Sequence, residues 1–567
     1  MKHLSFFVHG WQIIGCALLM MLATALNARA QVPDWQAAVA IGGGTTVTAT
    51  TTDTSGNVYL AGNFSGTVSV GNTTFSAAGG QDVFVAKWNS VTNSIVWAQR
   101  AGSTSDDHAF ALAVSGTSVY VAGDFLGTAT FGSTQVVSRG DIDGFVAKLT
   151  DGGTSATWNW ALMLGGTASD QAYALAANGP NVYVGGVFNS STALFGSSTV
   201  TNASTNGSTA DGFVAHLTDT GSAGAVTWVQ PVSGSGSDFV TSLVVAGNAV
   251  IVGGQFSNTL AFGSTVLVGG SLTGFVGKLL DTGSTSQYAW AVRTNGIAVI
   301  INAVAVDGAS VYVTGRFLFN AAFGSYSFTS AGTMGGYDVF VAKITDAGTS
   351  AAFTWAVRAG GVASDYANAI AASGGNVYVT GGFSGTSSFG GTSLTGAGLV
   401  DNIFLAKLTD VGGTGSFDWA IAAGGGNSQQ ALGVAIGTGG RVYVSGGAVP
   451  GVIFGRIRVL GVGNGGVGFL ASLTDATLTA TSMAAAAEQP IVFPNPAHSR
   501  VTVQIPAVFG TVTATLTVLD ALGRTLRTQV AATNSKVELD LTGLAPGRYA
   551  VRVAAGGSAA TRWLVVE

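Results

Sequence analysis

The feature that most constrains this chain is a seven-fold internal repeat. The element Val-Tyr-Val-x-Gly-x-Phe, present as Val58-Tyr59-Leu60-Ala61-Gly62-Asn63-Phe64, starts again at Val119, Val182, Val250, Val311, Val377 and Val442. A second element, Phe84-Val85-Ala86-Lys87, follows, with versions of it starting at Phe145, Phe213, Phe275, Phe340, Phe404 and Phe469. From the second repeat on, a Phe-Gly turn lies between them, at Phe131, Phe195, Phe262, Phe323, Phe389 and Phe454. Successive starts are 61 to 68 residues apart. Each unit holds four short β-branched or aromatic runs separated by Gly, Ser, Thr or Asn, which predicts four strands and three turns. A blade sandwiched between two others buries both faces, so its strands need not alternate cleanly between apolar and polar. The Gly of each Val-Tyr-Val-x-Gly marks a place where strands crowd and no side chain fits.

A displaced tryptophan decides how the repeats end. Trp97, Trp160, Trp228, Trp290, Trp355 and Trp419 each follow one of the first six Phe-Val-Ala-Lys strands, and the seventh has no such residue. The missing copy stands near the start of the chain, as Trp35. The strand around Trp35 is therefore expected to complete the last blade, next to Phe469, and to close a ring. An open solenoid would not need this displacement. The predicted fold class is all-β: a seven-bladed β-propeller closed by an N-terminal strand, followed by a small Ig-like β-sandwich.

Composition sets the destination and excludes some partners. Hydrophobic residues make up 47% and charged residues 9%, against 85 Gly, which excludes a disordered chain. Net charge is -5 without a long basic run, so nucleic acid is not an expected partner. The N-terminus reads as a signal peptide: Lys2, an apolar run from Ile13 to Leu26, then Ala28-Arg29-Ala30, with cleavage before Gln31. Cys16, the single cysteine, lies inside a run that continues well past it, which favours ordinary cleavage over lipidation. The mature chain is then without cysteine and without a transmembrane segment. The expected domains are a signal peptide over 1–30, the propeller over 31–475, a linker over 476–489 and a C-terminal module over 490–567.

Two resemblances follow from these residues. Gly375-Asn376-Val377-Tyr378-Val379-Thr380-Gly381 and Asp338-Val339-Phe340-Val341-Ala342-Lys343 resemble the SBBP-type propeller repeat, a family that implies fold and little about activity. The C-terminal module alternates at period two, as in Val501-Thr502-Val503-Gln504-Ile505. Its motif order resembles the type A sorting domain of the Bacteroidetes type IX secretion system: Phe493-Pro494-Asn495-Pro496, then Pro546-Gly547-Arg548-Tyr549, then a final strand. Arg562 stands where family members often carry Lys near the start of that strand. The resemblance implies export to the periplasm, passage across the outer membrane by the type IX machinery, and release or attachment at the cell surface.

No catalytic or metal centre is expected, and no cofactor. His108, His216 and His498 are the histidines past the leader, and none shares metal-ligand spacing with another. His216 takes the place that Lys holds in most repeats, which makes it a repeat position rather than a ligand. Asp107, Asp170, Asp238 and Asp365 recur just before the first strand of a blade and read as turn-closing carboxylates that bond backbone N–H groups. Lys148, Lys278, Lys343 and Lys407 each precede an Asp by three residues, and are expected to pair with it near blade ends. The repeats depart from one another most visibly at 199–209 and 294–304. The preferred reading is a non-enzymatic surface binding or adhesion platform with a glycan or protein ligand. The rivals are a secreted polymer-degrading enzyme with its site at the propeller mouth, and a purely structural envelope protein.

Overall fold

The computed structural model describes residues 32–204, 209–332, 335–461, 465–478, 491–505, 513–520, 524–532, 535–555 and 558–567. The expected cleavage residues Ala28, Ala30 and Gln31, and most of the expected linker, lie outside these. Seven antiparallel sheets form the blades, and two smaller sheets form the C-terminal module. Blade 2 shows the plan: inner strand His108–Ser115, then Ser118–Phe125, Asp143–Asp151 and outer strand Ala156–Gly165. The second and third strands are buried along nearly their whole length, as expected for a sheet covered on both faces. Seven apolar cores fill the seven gaps between blades, from the first pair round to the seventh and first.

The ring closes where the displaced tryptophan indicated. Strand Ala37–Gly43 adds antiparallel to Val467–Thr474, with Ala40 opposite Phe469. Trp35 is 7% exposed, meets Phe454 edge-on at 5.2 Å, and donates its indole N–H to the Ala422 carbonyl. Phe454 in turn lies 5.0 Å from Phe469. The inner strands Thr45–Thr52 and Gln430–Ile436 are neighbours, so the circle is complete around the axis. Gly468 N–H donates to Thr45 Oγ1 across the same seam.

Several sheets grow beyond four strands. The loop between second and third strands carries a hairpin that reaches back to the outer strand of the preceding blade. Thus Thr128–Phe131 and Thr134–Val137, from blade 2, extend blade 1 through Ala101 opposite Phe131 and Gly102 opposite Thr130. The Phe-Gly element is the tip of this hairpin: Phe131 is buried, and Gly132 takes a φ of 62° that a two-residue turn requires. Blade 5 is built differently. Its inner strand Asn295–Asp307 runs on to pair with an elongated second strand, Ser310–Phe323, so the departure at 294–304 is extra strand rather than loop.

The C-terminal module packs Ile491–Phe493, Arg500–Ile505 and Ser535–Asp540 in one sheet, and Thr513–Leu519, Thr525–Ala532, Gly547–Ala555 and Ser558–Val566 in the other. Val501, Val503, Leu516, Val518, Val551 and Leu564 share its core, each from the inward side of an alternating strand.

Candidate binding face at the channel mouth

Every inner strand carries a β-bulge at the same place, and the bulge shapes the axis. The extra residues are Thr48, Phe110, Tyr173, Thr241, Asn302, Asn368 and Leu432. All seven line one central cavity of about 200 Å³. The bulge also explains the repeated glycine: a methyl group on Gly381 would sit 2.0 Å from the Tyr366 carbonyl oxygen, and one on Gly123 would sit 1.8 Å from that of His108. Four bulge residues bond to the next blade. Thr48 and Thr241 donate to the carbonyls of Ala109 and Ile301 at 2.7 Å. Asn302 and Asn368 donate to Ala367 and Ala431, at 2.7 and 2.9 Å. Phe110, Tyr173 and Leu432 give the axis an apolar flank instead.

Just before each bulge, at the end where inner strands begin, the equivalent positions differ from blade to blade. They read Thr46, His108, Gln171, Phe239, Ile300, Tyr366 and Gln430, opposite Asn63, Asp124, Val187, Gln255, Arg316, Gly382 and Gly447. Blades 2 and 3 join theirs into a network. His108 Nδ1 lies 2.8 Å from Asp124 Oδ1, Gln171 Nε2 donates to Asp124 Oδ2 at 2.7 Å, and Tyr173 Oη donates to Gln171. The hydrogen bond to Asp124 pushes the His108 imidazole above its ordinary value against the opposing effect of burial. Phe110 stacks on His108 with ring centroids 6.0 Å apart and meets the Tyr173 ring at a tilt of 46°, 5.2 Å away. Burial raises the Tyr173 hydroxyl to about 12. None of these residues was singled out as a site in the sequence; the signal was the variable residue after each repeated Gly and the one at each bulge.

The same end holds buried carboxylate pairs. Asp82 and Asp107, Asp143 and Asp170, Asp211 and Asp238, and Asp338 and Asp365 meet across blade boundaries, all 0–1% exposed. Three of the four expected turn-closing bonds exist: Ser103 N–H donates to Asp107, Gly166 N–H to Asp170 and Gly361 N–H to Asp365, whereas both Asp238 carboxyl oxygens are buried without a hydrogen-bond partner. Desolvation outweighs them, and pushes Asp107 to about 7, Asp143 to about 6, Asp238 to about 8 and Asp365 to about 7. Arg100 and Arg358 reach Asp82 and Asp338. Among the described residues, no three His, Cys, Asp or Glu side chains are grouped to hold a metal ion.

At the opposite ends of the strands lie the repeated lysines. None pairs with the Asp three residues on: Lys87, Lys148, Lys278 and Lys343 each pair with an Asp of the following blade, and Lys407 lies 3.2 Å from Asp418 of its own blade and 3.5 Å from Asp475 of the next. Lys87 meets Asp151 at 2.6 Å, Lys278 meets Asp346 at 2.6 Å and Lys343 meets Asp410 at 2.6 Å; Lys148 meets Asp219 in the same way. Residues three apart on a strand point to opposite faces, so Lys148 and Asp151 look towards different neighbours. The pairs are buried, with Tyr59 Oη and Trp97 Nε1 also donating to Asp151. Burial pushes the Asp151 carboxyl up, but Lys87, Tyr59 and Trp97 outweigh it and hold it below its ordinary value. His216, stacked on Tyr183 and 3.7 Å from Asp281, replaces Lys in one such cluster. At the closing seam Ser90 stands in the Asp position, and Arg441 donates to its carbonyl.

In the C-terminal module, the sorting-motif residues come together. Asn495 Nδ2 donates to the Trp563 carbonyl and Asn495 Oδ1 accepts Val565 N–H, both at 2.8 Å, which ties the Pro494-Asn495-Pro496 turn to the final strand. Tyr549 Oη donates to the Ala545 carbonyl at 2.7 Å, just before Gly547 opens its strand, and Arg562 is exposed on the last strand. Residues 491–567 match the secretion system C-terminal sorting domain family. The chain carries a type IX sorting domain. This marks the protein for export to the outer-membrane surface or the extracellular space, by way of the type IX machinery. No helix among the described residues is long and apolar enough to cross a membrane.

Solved structures similar to the chain include a protein from Lactobacillus plantarum, 12% identical over 69% of this chain and 94% of that one, with a TM-score of 0.35. The leech intramolecular trans-sialidase, complexed with 2,7-anhydro-Neu5Ac, is 10% identical over 73% of this chain and 89% of that one, TM-score 0.33. A Trypanosoma rangeli sialidase mutant displaying trans-sialidase activity is 10% identical over 93% of this chain and 83% of that one, TM-score 0.33. No curated relative matches the chain.

Proposed function

We propose that the exported propeller is a non-enzymatic binding platform, with its ligand seated at the channel end where the inner strands begin. The observation that carries this reading is the contrast between two sets of equivalent positions. The residues that pack blades together recur almost unchanged, whereas the two rings of seven at the mouth differ in charge, size and aromaticity. A scaffold that repeats where it packs and varies where it faces the axis suits recognition of one asymmetric ligand. The carboxylate pairs serve the blade boundaries: a hydrolytic pair needs room for substrate between its two acids, and these are 0–1% exposed.

The test is direct binding of the mature chain to an immobilised panel of glycans and envelope proteins. Phe110→Ala and Tyr173→Ala, made together, are expected to weaken capture by about tenfold or more while the thermal melt changes little. Unchanged capture in the double variant, or release of cleaved polymer by the wild-type chain, overturns the reading.

A further inference from the structure

We propose that the mouth holds an anion subsite, built on Arg316, that takes the carboxylate of an acidic saccharide; this rests on the binding reading above and specifies its ligand. Arg316 occupies in blade 5 the position that Asp124 holds in blade 2. Its Nε is buried without an acceptor, the one arginine nitrogen among the described residues in that state. The propeller's buried lysines all have a carboxylate, and Arg316 takes part in none of the ion pairs of the described residues. A partly desolvated cation left without a counter-charge is costly, so the arrangement is complete only with an anion.

The neighbours of Arg316 supply the rest of a site. The Tyr337 ring lies 5.1 Å from its guanidinium carbon and holds the cation by its face. Tyr366 Oη, from the next inner strand, is buried beside the Asp401 and Gln430 side chains, and its contacts to them fall outside hydrogen-bond geometry. Burial pushes that hydroxyl well above its ordinary value, Asp401 adds to this, and Gln430 and Arg316 oppose it. Asp401 accepts Ser384 Oγ at 3.0 Å and Gln429 N–H at its carbonyl, and among the described residues it makes no ion pair with Arg316. Gln255 Oε1, at the Arg316 position of blade 4, is a buried acceptor without a donor. Room for this cluster is kept by Gly382: a methyl there would come 2.6 Å from the Tyr366 hydroxyl oxygen. A guanidinium and a hydroxyl make a donor pair suited to one carboxylate, and Gln255 offers an acceptor for a hydroxyl. The rings of Phe110 and Tyr173, on another part of the same mouth, offer flat apolar faces to a sugar ring.

The experiment uses the mature chain and isothermal titration with trigalacturonate and with its carboxyl-reduced form, galactotriose. The acid is expected to bind at least about tenfold more tightly than the neutral sugar, the range for hydrogen bonds to a charged group. Arg316→Met, which keeps the apolar stem, should erase that preference, and Arg316→Lys should restore part of it; Tyr173→Ala should weaken both sugars alike. Equal binding of the two sugars by the wild-type chain, or a preference that survives Arg316→Met, overturns the subsite and leaves the platform reading standing. Binding of neither sugar overturns it too; with a silent glycan and protein panel the platform reading then falls as well. Arg316-dependent capture of hexaglutamate but not of trigalacturonate replaces the saccharide by an acidic peptide and refutes this assignment. Thermal melts of the Arg316 variants confirm that they fold.

Discussion

Asp410→Asn should show how much the charge clusters between blades contribute. Asp410 accepts Lys343 Nζ and Tyr312 Oη at 2.6 Å each and Trp355 Nε1 at 3.1 Å, and it fixes its own turn through Gly412 N–H at 2.8 Å. The Lys343 side chain is only 8% exposed, so removal of the charge strands an ammonium inside the interface. Breaking a buried pair from one side costs about 3–5 kcal/mol, because desolvation of the survivor is no longer offset. Removing both charges is far milder, so Lys343→Met combined with Asp410→Asn is expected to cost less than about 2 kcal/mol. Urea unfolding of the single and double variants, followed by tryptophan fluorescence, gives the coupling between the two residues. A coupling of about 2 kcal/mol or more is expected. A coupling near zero, or a double variant worse than the sum of the singles, would refute the claim that these groups act as one buried unit.

Two further outcomes follow from the geometry. Asp107, Asp143, Asp238 and Asp365 are raised to between about 6 and 8 by burial, so their protonated forms favour the folded state. Their stabilisation is full below the unfolded value near 4 and is lost as pH rises through the folded values. The Lys-paired Asp151, Asp346 and Asp410 are held low, so their contribution is present above about 4 and lost on further acidification. The melting temperature should therefore peak on the acid side, near pH 5, and Asp238→Asn should flatten the fall between pH 5 and 8; a peak above pH 8 contradicts this. Gly381→Ala should destabilise by more than about 3 kcal/mol, since its methyl would meet the Tyr366 carbonyl oxygen at 2.0 Å. Gly391→Ala, with nothing within 4 Å, should change little, and equal effects in the two unfolding curves would discount the bulge argument.

The ring was legible because it rests on recurrence: apolar strands and their tryptophans return in register, and one copy out of place marks the joint. The pairing of Lys148 was not, because proximity in sequence misleads on a strand, where the next blade is nearer than a residue three positions on. The backward reach of the hairpins was hidden as well, since only two residue pairs, Ala101 with Phe131 and Gly102 with Thr130, anchor the one in blade 2. His108, Gln171, Arg316 and Tyr366 sit fifty or more residues apart and come to the same end of the ring only once the blades close around one axis. No local motif announces such a group. It appears when the repeats are aligned and the variable columns are placed on the closed ring.

The binding face exists only if the ring closes, and a cysteine pair tests that closure most directly. Ala38 lies opposite Ala471 in the joining strands, and paired residues there are about 4.5–5.5 Å apart at Cα, within reach of a disulfide. A chain begun at residue 32 lacks Cys16 and so has no other thiol, and Ala38→Cys with Ala471→Cys should oxidise within one chain to a compact species seen on a non-reducing gel. Free thiols after oxidation, or cross-links only between separate chains, would contradict the closed propeller and the mouth built upon it.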